Sequence, residues 1–157
     1  MKSDTTFLKE SLQVALSSLH KGNLPFGCIL VDEMGNIIEE GENTVVTDAN
    51  SIAHCEINLV NKLSGKYSPE FLETCTVYAS TEPCPMCSAA IFWSGIGRLV
   101  FALGKDKYHQ LAQTTNPAYI LELSADEVLS RGGRKVKVEG PLLEEGATEF
   151  YRNIYKH

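Results

Sequence analysis

The sequence predicts an α/β fold: a three-layer α/β/α sandwich around a mixed sheet of about five strands. Helix-spaced apolar stripes alternate with short runs of β-branched and aromatic residues along the chain, the pattern of a sheet covered by helices on both faces. The first two strand-like runs are joined only by Met34-Gly35-Asn36, a hairpin turn that makes one pair antiparallel. The later runs are separated by helical stretches, which suit right-handed crossovers between parallel strands.

Leu8, Leu12, Ala15, Leu16 and Leu19 mark one face of an opening helix, with Ser3 or Asp4 as N-cap and Gly22-Asn23 as the stop. Phe26-Gly27-Cys28-Ile29-Leu30-Val31-Asp32 reads as a buried strand, and Ile37 to about Val46 as its hairpin partner. Asn50-Ser51 is expected to cap a second helix carrying Ile52, Ile57, Leu59, Val60 and Leu63 and closed by Gly65. Thr76-Val77-Tyr78-Ala79-Ser80 is a third strand. Pro85 suits the first position of the next helix, where its missing N–H would have no partner, and Gly95 stops that helix after Ser94. Leu99 to Leu103 is a fourth strand, and Lys105 to Leu123 reads as helix with loops. Ser124-Ala125-Asp126-Glu127 starts another helix, Lys135 to Val138 is a short strand, and Pro141 opens a C-terminal helix.

With 157 residues and no repeat or linker-like stretch, the expectation is one domain over residues 1–157, large enough to need no disulfide staples. The chain carries 14 basic and 20 acidic residues, a net charge of −6, which argues against gripping a nucleic-acid backbone. Its polar start, Met1-Lys2-Ser3-Asp4-Thr5, gives no sign of a secretory leader, and no apolar run approaches a membrane span. Five cysteines (Cys28, Cys55, Cys75, Cys84, Cys87) are an odd set that reads as metal ligands plus buried thiols in a reducing cytoplasm.

Two fragments carry chemistry: His54-Cys55-Glu56 and Pro83-Cys84-Pro85-Met86-Cys87, each opening a helix. With parallel crossovers both lie on the carboxyl rim of the sheet, where open α/β folds bind ligands. Cys84 and Cys87, three apart, share a helix face and can converge on one ion. A helix N-terminus stabilises thiolate, the form that binds zinc. His54 adds a nitrogen, and three protein ligands leave tetrahedral zinc one open position, the catalytic arrangement. Glu56, two residues past His54, can reach a water bound there and move its proton. Plainer readings of C-x-x-C are a redox pair, or half a structural zinc site completed by Cys28, Cys55 or Cys75. Redox use leaves His54-x-Glu56 unexplained. Cys28, within a strand, reads as a buried thiol, and Cys55 points away from the side that His54 and Glu56 share.

H-x-E followed by P-C-x-x-C is the signature of zinc nucleobase deaminases. The chain resembles the cytidine deaminase-like superfamily, and within it the nucleobase and tRNA-adenosine deaminase branch. The likeness spans most of the chain: Pro25-Phe26-Gly27, Glu42-Asn43, His54-Cys55-Glu56 and Thr81-Glu82-Pro83-Cys84-Pro85-Met86-Cys87. Within that branch it resembles small guanine deaminases, through Glu82 to Cys87, Ala89-Ala90-Ile91-Phe92-Trp93, and a C-terminal helix with Phe150, Tyr151 and Tyr155. The resemblance implies a cytidine deaminase-like fold and one zinc per chain. It also implies that Glu56 shuttles protons to a ring nitrogen and then to departing ammonia. By the same resemblance Asn43 hydrogen-bonds the base, Phe26 walls the pocket, Trp93 stands behind the zinc helix, and the Cys55 N–H donates to a substrate carbonyl. Asp106 is the candidate for the acidic residue that guanine deaminases place after the fourth strand, with a solvated surface charge as the equal alternative. Cys55 stands where the family usually carries Ala or Gly, and Gly104 to His109 does not align clearly, so substrate identity stays open.

The expected function is a zinc-dependent hydrolase releasing ammonia from an aminated purine base, guanine to xanthine favoured. Alternatives are a tRNA adenosine deaminase, a cytosine deaminase, or a non-catalytic zinc-stabilised binding module that the presence of Glu56 disfavours. Arg131, Arg134, Lys135 and Lys137 cluster, but Glu139, Glu144, Glu145 and Glu149 follow, so the expected partner is a small aminated heterocycle rather than nucleic acid. The resemblance also implies a homodimer, its C-terminal aromatics packing on a partner or covering a pocket. Trp93 reads equally well as core. His20 and His157 are expected at the surface, His109 is a lesser pocket candidate, and Glu82 is expected to bond backbone or orient the site.

Overall fold

The computed structural model describes residues 1–156; His157 lies outside the described residues. Helix α1 (Asp4–His20) starts on Ser3, whose hydroxyl accepts the Thr6 N–H at 3.3 Å. The chain then forms a hairpin, β1 (Gly27–Val31) and β2 (Ile37–Glu42), followed by α2 (Cys55–Leu63) and a short α3 (Pro69–Glu73). Next come β3 (Thr76–Thr81), α4 (Pro85–Ser94), β4 (Arg98–Leu103) and α5 (Lys105–Ala112). A 3-10 turn at Pro117–Tyr119, α6 (Ala125–Leu129), β5 (Lys137–Glu139) and α7 (Glu144–Ile154) complete the order.

The sheet runs β2-β1-β3-β4-β5. β1 is antiparallel to both β2 and β3, whereas β3, β4 and β5 are parallel, so the sheet is mixed as expected. Strand alternation buries both faces. Cys28, Leu30, Val77, Ala79, Leu99 and Phe101 face a layer that includes Leu59, Leu63, Leu72, Ile91 and Leu129 from α2, α3, α4 and α6. Ile29, Val31, Tyr78, Val100 and Ala102 face the opposite layer, with Phe7, Leu8 and Leu12 of α1, Tyr108 of α5 and Tyr151 of α7. Each large apolar side chain so buried contributes about 1.5–3 kcal/mol. Three layers result.

Four boundaries differ from the sequence expectation by two residues or more. β2 ends at Glu42 rather than Val46, because the Asn43 Oδ1 accepts the Val45 N–H and turns the chain. α2 begins at Cys55 rather than after Asn50-Ser51; Asn50 instead makes its own turn, accepting the Ile52 N–H at 3.1 Å. α7 begins at Glu144, three residues beyond Pro141, because Leu142 and Leu143 first donate to the carbonyls of Phe101 and Ala102. β5 starts two residues later than expected, at Lys137. The expectation also lacked α3, although Ser68-Pro69 supplies an ordinary cap and first turn for it.

α4 is held at both ends. Pro85 occupies its first turn, and Gly95 ends it with φ of +99°, a left-handed cap that disfavours any side chain. Arg134 donates to the Phe92 carbonyl at 2.6 Å and the Ile96 carbonyl at 2.8 Å, with its guanidinium 5.1 Å from the Phe92 ring centre. The most central member of the basic cluster is thus a cap for α4.

Candidate active site

The site forms where the N-termini of α2 and α4 meet, beside the ends of β3 and β4. Gly41 makes that meeting possible. It pairs with Cys28, and a Cβ there would overlap the Cys55 carbonyl oxygen and lie 2.9 Å from the Leu59 Cβ. Only a residue without a side chain lets the first turn of α2 rest on β2. The loop between β2 and α2 is then tied down by polar groups that sequence reasoning missed. The Asn58 Nδ2 donates to the Glu42 carbonyl at 2.7 Å and to the Thr44 hydroxyl at 2.8 Å. The Asn23 Oδ1 accepts the N–H groups of Val46 and Thr47, and the Ser18 hydroxyl lies 2.8 Å from the Asn43 carbonyl. The signal available in the sequence was polar residues on or beside otherwise apolar stripes, Ser18 above all.

This loop delivers His54 as the N-cap of α2, in extended backbone conformation. Cys84 is the N-cap of α4, and Cys87 lies one turn further in. The His54 Nδ1 is 3.6 Å from the Cys84 Sγ and 3.5 Å from the Cys87 Sγ, and all three atoms lie within 4.8 Å of one another. Zinc–sulfur bonds of ~2.3 Å and a zinc–nitrogen bond of ~2.0–2.1 Å at a tetrahedral angle separate N from S by about 3.6 Å. The observed spacing fits, and one nitrogen with two sulfurs is a zinc donor set. These residues could hold the ion.

The electrostatics agree. The Cys84 thiol is brought down to about 4, first by the neighbouring Cys87 and then by His54, while Cys87 is pushed up by its contact with Cys84. The two sulfurs behave as a pair that gives up its first proton easily, because the remaining S–H and the imidazole both stabilise the anion. His54 is raised by the same Cys84 anion. Glu56, only 6% exposed in the first turn of α2, has its carboxyl raised by burial, with a hydrogen bond from Cys87 opposing that shift.

The other candidates fall into two groups. Asn43 is 1% exposed, and its Nδ2 donates to no partner among the described residues, while its backbone N–H donates to the Phe26 carbonyl at 3.1 Å. Phe26 is half-buried and packs on Tyr108, ring centres 4.8 Å apart. The Cys55 side chain is buried beside Cys28 in the core, so only its backbone is available to the site. Trp93 and Asp106, by contrast, are exposed. Trp93 is 81% exposed on the outer side of α4 against Phe92, neither core nor gathered with the metal cluster. Asp106 lies in the first turn of α5, open to solvent and without an ion pair among the described residues. His109 is half-buried, with Nδ1 sealed from solvent and without a hydrogen-bond partner among the described residues.

Glu82 bonds backbone, as expected, at Lys105 and Ala125. The C-terminal aromatics pack on their own chain. Tyr151 donates to the Pro25 carbonyl at 2.9 Å, and the Tyr155 and Tyr108 hydroxyls are 2.6 Å apart.

A family model described as the cytidine and deoxycytidylate deaminase zinc-binding region matches residues 1–103. Among curated relatives, a probable cytosine deaminase of Schizosaccharomyces pombe is 37% identical over 92% of this chain and 87% of its own length. The guanine deaminase of Bacillus subtilis is 39% identical over 57% of each chain, and a tRNA-specific adenosine deaminase of the same organism is 35% identical over 64% of this chain and 62% of its own. Among solved structures, the guanine deaminase of Nitrosomonas europaea superposes with a TM-score of 0.78 at 23% identity, covering this whole chain and 87% of that one.

Proposed function

The chain belongs to the cytidine and deoxycytidylate deaminase zinc-binding family, and from that premise we propose that it hydrolyses a free aminated nucleobase to its oxo form and ammonia, guanine foremost. The observation that carries the proposal is the His54, Cys84 and Cys87 cluster with the buried Glu56 beside it. Zinc held there supplies a Lewis acid and brings the pKa of a water near ~7.

Glu56 takes a proton from the attacking water at its carboxylate and delivers it to a ring nitrogen; as the C–N bond breaks it passes the new hydroxyl's proton to the amine, which leaves as ammonia. Burial that raises its carboxyl moves it toward the range where one group can both accept and donate near neutral pH. Asn43, anchored through its Oδ1 and both backbone groups, presents Nδ2 to an acceptor on the base. Phe26 closes the apolar side, and the Cys55 N–H, first in α2 and without an intrahelical partner, is a donor to a base carbonyl.

A small substrate is supported by the charge of −6 and by the structural use of Arg134 and Lys137, the latter 3.1 Å from Glu139. The relation to the S. pombe protein over most of the chain favours cytosine as the second reading. Five free thiols suit a reducing cytoplasm. No described helix is long and apolar enough to cross a membrane. The exposed Trp93 is a candidate homodimer contact.

The test is ammonia release from guanine, guanosine, cytosine, adenine, aminated triazines and pterins, with zinc measured in the same samples. Guanine is expected to turn over fastest. Glu56→Gln should keep one zinc per chain and lose about 10²–10⁴-fold in rate. Undiminished turnover in that variant would remove Glu56 from its role, and faster release from cytosine would replace guanine as the substrate.

A further inference from the structure

We infer that Glu82 is a positioning residue whose carboxylate pins both ends of the segment Lys105–Leu123 to the metal-binding loop, holding that segment as a wall of the substrate site. The inference rests on the proposed function for what the wall encloses.

β3 and β4 end side by side, Thr81 opposite Leu103, so the Cys84 loop and α5 leave the sheet from one rim. Glu82 extends that pairing by donating its N–H to the Leu103 carbonyl at 2.8 Å, two residues before Cys84. Its Oε1 accepts the Lys105 N–H at 3.3 Å, and its Oε2 accepts the Ala125 N–H at 3.0 Å. These donors are the first residues of α5 and α6. Neither N–H has a partner within its own helix, and both helix dipoles favour an anion at that point. One carboxylate thus closes the two ends of the segment. The segment also closes on itself: the Lys105 Nζ donates to the Leu121 carbonyl at 3.3 Å and to the Leu123 carbonyl.

What the bracket fixes is α5. Tyr108 projects from it onto Phe26, and the Phe26 carbonyl receives the Asn43 N–H. From Glu82 to Asn43 the contacts are continuous. The proposed chemistry itself makes no use of this carboxylate.

Glu82→Gln is nearly isosteric but turns one acceptor into a donor that faces an N–H. It should keep one zinc per chain, raise KM for the base about tenfold with a smaller change in kcat, and speed amide exchange about tenfold across residues 105–125. Glu82→Asp, one methylene short of spanning both donors, should speed exchange at one end of the segment only.

Wild-type exchange in folded Glu82→Gln would overturn the inference. So would faster exchange with unchanged KM, or a loss of zinc, which would make Glu82 a support of the metal loop alone. If the wild-type protein deaminates no base, the proposed function fails, and unchanged exchange in Glu82→Gln remains a separate refutation of the bracket.

Discussion

Gly41→Ala would drive a methyl group into the seat of α2. The new carbon would stand 2.9 Å from the Leu59 Cβ and 3.0 Å from the Cys28 Sγ, and it would overlap the Cys55 carbonyl oxygen. Carbon atoms rest at about 3.5–4.0 Å, so the Leu59 contact alone asks the helix to retreat by roughly 0.6–1.1 Å, and the nearer Cys55 oxygen asks for more. Its first turn cannot retreat without carrying His54, one residue earlier, away from two sulfurs at 3.5 and 3.6 Å that belong to another helix. Overpacking of this size costs about 1–3 kcal/mol. If that cost falls on the metal-binding geometry, zinc affinity weakens by about 5- to 150-fold. Equilibrium competition with a chelating dye measures it, with far-UV circular dichroism and urea unfolding to show that the variant is folded. A folded Gly41→Ala protein with wild-type zinc affinity would refute the argument that the seat of α2 sets the metal corner.

Two further outcomes follow from groups far from the cluster. Asp4 accepts from Arg98 at 2.8 and 3.1 Å and from the Tyr78 hydroxyl at 2.6 Å, and the Arg98 guanidinium holds its carboxyl below the ordinary range. A carboxyl lowered in the folded state stabilises the fold above its unfolded pKa of ~4 and loses that contribution as pH falls through the folded value. Asp4→Asn should therefore be less stable than wild type at pH 7, by about 1 kcal/mol or less because water screens this partly open pair, and the gap in urea midpoint should narrow progressively as pH falls below about 4. A gap that persists unchanged in acid would contradict the assignment. Arg134→Ala should lower stability by about 2 kcal/mol through the loss of charged hydrogen bonds to the α4 carbonyls, with no change in tRNA binding. An undisturbed fold with weakened, salt-sensitive tRNA binding would instead make this arginine part of a nucleic-acid surface.

The strands and the metal ligands were legible because their signals are local. Short apolar runs buried on both faces, the Met34-Gly35-Asn36 turn, Pro85 and Gly95 each act within a few residues, and the C-x-x-C spacing is itself a piece of helix geometry. The loop before His54 was not legible for the opposite reason. Val45, Val46 and Ile52 continue apolar patterns that look like strand and helix, yet Val46 and Ile52 are exposed. What shapes that loop is hydrogen bonding to Asn23 and Asn58, residues brought in from other elements. The core reading of Trp93 failed in the same way: a large aromatic on a helix suggests core, and only the packing direction of α4 shows it turned outward. The segment after β4 was not legible either, because a short helix, a 3-10 turn and a capped helix follow there without a shared period.

Two of the three ligands sit three residues apart on one helix end, while the third arrives from 30 residues earlier in the chain. The sulfur pair therefore survives unfolding as a loose two-pronged grip, whereas the imidazole joins only once the sheet has formed. Zinc added to a denatured sample would meet a partial chelator rather than none. The ion's measured contribution to stability must then fall short of its affinity for the native protein, by whatever the unfolded chain retains.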